Sequence, residues 1–243
     1  MQYTRLTKAF IGFMVLAGAA TIVNAARQGG PWHPYLGLTL LAIATATSRM
    51  KVTIPGINGN MSVNLPFLML AVTKLSATES ILIACAASIV QTVPTGGSKL
   101  KPVRVLFNLG MMAFASGTAA LVSHLGVLER LSWGAAQALL IGAAATFFLG
   151  QTLPVSVIIA LTERGPIRKT WSNLAHMSFP YFVLSAGVTS MVLSAGHYTG
   201  WLASLAVLPL MFTIYRSYRL YFAKTAEQMT TALAMGATAG AHS

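Results

Sequence analysis

Eight apolar stretches divide this chain, and its few charged side chains gather where those stretches begin and end. The stretches are 9–26, 35–48, 61–75, 77–93, 103–124, 133–161, 175–195 and 200–215. A helix rises about 1.5 Å per residue, so about 20 residues cross the hydrocarbon of a bilayer. Only 8% of the residues are charged and 55% are hydrophobic, against about 25% charged in a soluble domain. Water could not solvate such a surface, which makes lipid the solvent for much of the chain. The expected fold is all-α: a polytopic transmembrane helical bundle of about eight membrane segments, or six plus a re-entrant hairpin. One membrane domain is expected over 1–222, with a short cytoplasmic tail over 223–243.

The second, third and fourth stretches are short for a full crossing and must snorkel, thin the membrane or hide behind neighbours. Local chemistry explains the breaks. Pro34 and Pro102 suit a first helical turn, where a missing N–H costs nothing. Gly165-Pro166 stops the sixth stretch, and Pro154 lies inside it. Ser76-Ala77-Thr78-Glu79 has the form of a capping box, so one helix ends at Leu75 and the next starts near Ala77. On that reading Glu79 is a structural cap and not a functional acid.

Lysine and arginine fix the orientation. With alternate crossings from a cytoplasmic N-terminus, Arg5/Lys8, Arg49/Lys51, Lys99/Lys101/Arg104, Arg164/Arg168/Lys169 and Arg216/Arg219/Lys224 fall inside, thirteen of the sixteen basic residues. Arg27, Lys74 and Arg130 fall outside. Such an asymmetry is what the positive-inside rule demands, and it places both termini on the cytoplasmic side of a bacterial plasma membrane. The net charge of +12 follows from topology, because no basic face forms; nucleic acid is not expected as a partner. Gly142, Thr146 and Gly150, like Ala113 and Gly117, recur at four-residue spacing and favour close helix approach.

No catalytic centre is expected. The chain has no Asp and four Glu, none of them mid-span, so a carboxylate relay of the kind used in pumps is missing. Neither a nucleotide loop nor a metal-spaced cluster occurs. Five scattered histidines and the lone Cys85 read as interfacial and packing residues, and no cofactor is expected. The least regular segment is Lys51–Pro66, with two prolines, two glycines and three asparagines between apolar flanks. Non-helical backbone at membrane depth has to be buried in protein or line a cavity. Asn58, Asn60, Ser62 and Asn64 are therefore candidate ligand-binding residues, joined by Gln91 and Asn108 from the neighbouring spans. The simpler reading is a cytoplasmic loop with ordinary interhelical hydrogen bonds.

The stretch Ile54–Phe67, the hairpin after it and Phe107-Asn108 at the start of the fifth span resemble a family of bacterial multi-spanning sensor modules. Those modules stand N-terminal to HD-GYP or GGDEF cyclic-dinucleotide signalling domains. The same half is more distantly similar to substrate-binding subunits of energy-coupling-factor transporters. The first resemblance implies a non-enzymatic, sensor-like or small-ligand-binding module. Here Arg216–Phe222 leads into a small-residue tail where the family carries an output domain, so signalling is expected to pass to a separate protein partner in the membrane or at its cytoplasmic face. The alternatives are an accessory subunit of a larger, energy-transducing complex or a transporter substrate-binding subunit.

Overall fold

The computed structural model describes residues 4–53, 60–93, 101–125 and 133–199, with 212, 213, 216, 217 and 220 beyond them. Seven helices occur among these residues: α1 (Arg5–Gln28), α2 (Pro34–Thr47), α3 (Leu65–Lys74), α4 (Ala77–Thr92), α5 (Pro102–Ser123), α6 (Trp133–Glu163) and α7 (Ile167–Thr199). The stretch 200–215 lies almost wholly outside the described residues, and the tail 223–243 lies outside them entirely. Four helices are long and apolar enough to cross a membrane: α1, α5, Gln137–Glu163 of α6 and Ile167–Ser194 of α7. The chain is thus a helical membrane protein.

Helix ends follow the local chemistry. The Thr4 hydroxyl accepts the Thr7 N–H at 3.3 Å to start α1, and Gly29, at φ 65°, ends it with a backbone that side-chain-bearing residues rarely adopt. Pro34 and Pro102 occupy first turns. Between α3 and α4 the capping box forms as the sequence predicts, Ser76 accepting the Glu79 N–H and Glu79 accepting the Ser76 N–H. Helices α6 and α7 continue through Pro154 and Pro180.

Three boundaries differ from the hydropathy reading. Lys51–Thr53 and Asn60–Ser62 form a two-stranded antiparallel hairpin, Val52 opposite Met61, so the bundle is not purely helical. Met61 consequently belongs to a strand, and α3 starts only at Leu65. Helix α7 starts at Ile167 rather than near 175, because Arg168, Lys169 and Trp171 lower the hydropathy of two turns without opposing helix.

Contact pairs give the directions. Phe10 stacks near Phe107, ring centroids 6.2 Å apart, Met14 meets Gly110 and Thr21 meets Gly117, so α1 and α5 run parallel. Thr92 bonds Asn108 and Ile81 meets Gly117, so α4 runs opposite to α5. Gly150 against Ala115 and Gly142 against Val122 set α6 antiparallel to α5. Trp171 to Thr152 and Ser190 to Gln137 set α7 antiparallel to α6. One end of the bundle therefore collects Arg5, Lys8, Lys101, Arg104, Arg164, Arg168 and Lys169, while Arg27 and Lys74 mark the other.

At the centre lies α3. Every residue from Leu65 to Val72 is buried, and its ten residues span about 15 Å, half a hydrocarbon core. Its core neighbours include Leu40 and Ala44 of α2, Ile83 and Ala84 of α4, Met111 and Ala115 of α5, Phe147 of α6 and Phe182 of α7. A helix apolar on every side suits only such a position. By contrast α1 and α7 present Phe13, Leu16, Phe179 and Met191 outward, as lipid-facing helices must.

Candidate functional site

A short helix buried in an apolar bundle has a difficulty at its ends, since up to four N–H groups at its start and four C=O groups at its end lack partners within the helix. An unpaired polar group in hydrocarbon costs several kcal/mol. Neighbouring side chains meet this demand in α3. The Ser80 hydroxyl donates to the Ala71 carbonyl at 2.8 Å, and the Ser123 hydroxyl donates to the Val72 carbonyl at 2.8 Å. At the start of α3 the Asn64 carbonyl accepts the Phe67 and Leu68 N–H groups, each at 3.1 Å, while the Thr189 hydroxyl ties α7 to the Pro66 carbonyl at 3.4 Å. Among the described residues, no buried side-chain nitrogen or oxygen lacks a partner.

Two polar junctions then tie α3 to α2. At its start, Asn64 is buried and donates through Nδ2 to Ser48 Oγ at 2.9 Å. Ser48, itself fully buried, donates onward to the Ala44 carbonyl at 2.6 Å. This junction closes the base of the Lys51–Ser62 hairpin. Past the other end of α3, Glu79 is buried and its carboxylate takes three donors: Ser76 N–H at 3.1 Å and Ser76 O–H at 2.8 Å on Oε2, and His33 N–H at 2.9 Å on Oε1. His33 caps α2 as Ser76 caps α4, so one carboxylate sits against the positive ends of two helices. Glu79 is more than a local cap. It clamps α2 to the α3–α4 turn, and with both oxygens engaged it is a fixed structural acceptor.

The sequence-predicted residues fall into separate groups. Asn58 lies outside the described residues, and Asn60 and Ser62 lie on the second strand of the hairpin. Asn64 is tied to α2. Asn108 donates to Thr92 Oγ1 at 2.9 Å and is tied to α4, one residue from the half-buried Gln91. Asn64 and Asn108 thus each make a hydrogen bond to a different helix, as the simpler reading of their role expects. Gln151, also polar and within a span, donates to Met112 Sδ at 3.1 Å.

Ser48, Ser80, Ser123 and Thr189 escaped the sequence reading. Serine and threonine commonly bond back to their own helix, and nothing in their spacing separates those that reach a neighbour. Among the described residues no group of three His, Cys, Asp or Glu could hold a metal ion. What the arrangement does chemically is hydrogen-bond and position, with α3 as the positioned element. No protein-family model, curated protein or solved structure matches this chain.

Proposed function

We propose that the protein is a non-enzymatic, sensor-like or small-ligand-binding module of a bacterial plasma membrane, with α3 and the hairpin leading into it as the responsive element. The observation that carries this reading is the burial of α3 from Leu65 to Val72, with the hairpin joined to its start through Asn64 and Ser48. A helix that touches no lipid takes its position from protein neighbours and from whatever the hairpin admits. Asn58, Asn60, Ser62 and Asn64, with Gln91 and Asn108, are the candidate groups for a polar ligand. The finer topology belongs to the same proposal: eight membrane segments, or six with α3 and α4 as a re-entrant pair, and both termini in the cytoplasm beside the cationic end of the bundle. Resemblance of Ile54–Phe67 to the sensor modules supports it.

A second reading, an accessory subunit of a larger membrane complex, is favoured by α1, only 17% of whose apolar window is buried. Leu6, Phe13, Leu16, Ile22 and Val23 face outward there, a surface that suits a partner helix as well as lipid. Mild-detergent purification of the native protein followed by mass spectrometry separates the two. A small molecule retained on the isolated chain, and lost on Asn58→Ala/Asn60→Ala substitution, supports the sensor reading. Stoichiometric larger subunits with no such ligand refute it.

A further inference from the structure

The cationic end of the bundle is uneven, and its densest part lies where two parallel helices begin side by side. The pairs Phe10–Phe107, Met14–Gly110 and Thr21–Gly117 hold α1 and α5 in one register. Continued toward the helix starts, that register sets Arg5 level with Lys101–Pro102 and Lys8 level with Arg104–Val105. All four cations are exposed. Neither helix carries an acid in its first turn, and both first turns already present the positive pole of a helix. Four like charges at one level on two neighbouring helices, both with positive ends, favour an anion near them. The one described acid at this end of the bundle, Glu163, closes α6 beside Arg164, Arg168 and Lys169.

Among these cations and on from them toward the bundle's middle, the same two helices expose apolar side chains. Leu6 is 70% and Phe13 62% exposed on α1, and Leu106 is 52% exposed on α5. Val103 is exposed beside Arg104. Charge at the rim with an apolar strip continuing toward mid-membrane matches an amphiphile with an anionic head and hydrocarbon tails. A soluble phosphate would use the cations and leave the strip idle.

We propose that the paired starts of α1 and α5 form a binding site for an anionic glycerophospholipid, with Arg5, Lys8, Lys101 and Arg104 on the phosphate-bearing headgroup and Leu6, Phe13 and Leu106 along an acyl chain. The site rests on the membrane reading of this chain and is independent of its role as a sensor. Each cation near such a headgroup contributes roughly a five-fold gain in affinity.

Native mass spectrometry of the full chain in mild detergent tests this, with phosphatidylglycerol and phosphatidylcholine added in turn. The wild-type chain retains phosphatidylglycerol selectively. Arg5→Gln/Lys8→Gln and Lys101→Gln/Arg104→Gln each lower that retention by roughly ten-fold or more. The control Arg168→Gln/Lys169→Gln removes the same charge from the same end and changes retention less than about two-fold. Equal loss in the control, equal retention of the two lipids by wild type, or displacement of phosphatidylglycerol by equimolar inorganic phosphate overturns the proposal. The wild-type lipid comparison stands even where a variant fails to fold. Failure of the wild-type chain to enter vesicles of either lipid overturns instead the membrane reading beneath it.

Discussion

The closest helix contact in the bundle gives its sharpest stability test. A Cβ placed on Gly110 stands 2.6 Å from the Met14 carbonyl oxygen and 2.9 Å from Val15 Cα. Both are backbone atoms, so no rotamer change relieves the contact. Restoring a separation of about 3.5 Å requires α1 to withdraw by roughly 0.9 Å, and a gap of that size forfeits a quarter to a half of each facing dispersion contact. Overpacking of this kind costs about 1–3 kcal/mol, against which alanine returns about 0.8–1 kcal/mol of helix propensity. Gly110→Ala is therefore expected to destabilise by a net of up to ~2 kcal/mol, a fall of up to about 4–8 °C in Tm for a chain of this size, and to melt below Gly12→Ala by the full overpacking cost. Thermal unfolding in mild detergent, followed by near-ultraviolet circular dichroism, reads it. Gly12 is the internal control, being on α1 with nothing within 4 Å of its would-be Cβ, so Gly12→Ala is expected to be neutral or mildly stabilising. Gly18 faces Gly110 across the same gap, its would-be Cβ 2.5 Å from the Gly110 oxygen, so the double substitution costs less than the sum of its parts, because the helices part only once. If Gly110→Ala melts with Gly12→Ala, the parallel packing of α1 on α5 is wrong.

Other consequences can be checked in the same preparation. Glu79→Gln turns an amide N–H₂ toward one of the donors now on the carboxylate, with an expected loss of about 1.5–3 kcal/mol; Ser76→Ala removes the cap and one of the three donors on that carboxylate but leaves the His33 bond and costs about 1 kcal/mol, and similar melting of the two variants argues against a clamp reaching His33. Asn64→Ala and Asn108→Ala should each cost about 0.6 kcal/mol and at most about 1.7 kcal/mol, and the two losses should add within about 0.5 kcal/mol if these residues serve separate helix pairs. In a Cys85→Ser background, a membrane-impermeant maleimide applied to intact cells is expected to modify Arg27→Cys and to leave Lys101→Cys and Arg168→Cys unmodified until the cells are opened; the reverse pattern inverts the topology.

What the sequence made legible was whatever a few neighbouring residues decide. Ser76 and Glu79 specify their capping box through three residues of chain, so the α3–α4 turn follows directly from the sequence, as do the starts at Pro34 and Pro102. Hydropathy located α4 and α5 closely, because each changes from polar to apolar where its helix begins, whereas α1 begins four residues ahead of its apolar stretch, at Arg5. It failed at α7, whose first two turns are helical yet polar, and at Met61, where an apolar run passes from strand into helix. The pairing of Gly18 with Gly110 depends on which helices become neighbours, and neither glycine lies in a repeating small-residue pattern. The candidate site shows the same division. Proline, glycine and asparagine between 51 and 66 exclude a continuous helix, and a hairpin stands there. That Asn64 is tied to Ser48 and Asn108 to Thr92 is tertiary information, carried by hydroxyl residues of a kind found on every helix here.

The polar bonds around α3 meet a demand that exists with or without a ligand. A ten-residue helix deep in an apolar bundle needs partners for its end groups, and Ser80 and Ser123 supply them to carbonyls of its last turn. Their presence alone therefore does not argue for binding; that weight falls on the hairpin, whose Asn60 and Ser62 no such demand explains. The two roles separate by substitution. Ser80→Ala takes one of two donors from the Ala71 carbonyl, which keeps the Leu75 N–H, and Ser123→Ala takes the hydroxyl donor from the Val72 carbonyl; each should cost up to about 1 kcal/mol, with affinity for any retained ligand changed less than two-fold. On the ligand-binding reading Asn60→Ala and Ser62→Ala should release the ligand and leave the melting temperature within about 1 °C, as substitutions away from packing and buried hydrogen bonds do. Were the hairpin variants to destabilise the bundle as much as the serine variants and release nothing, the hairpin would be a structural plug for the end of α3, and the accessory-subunit reading would take precedence.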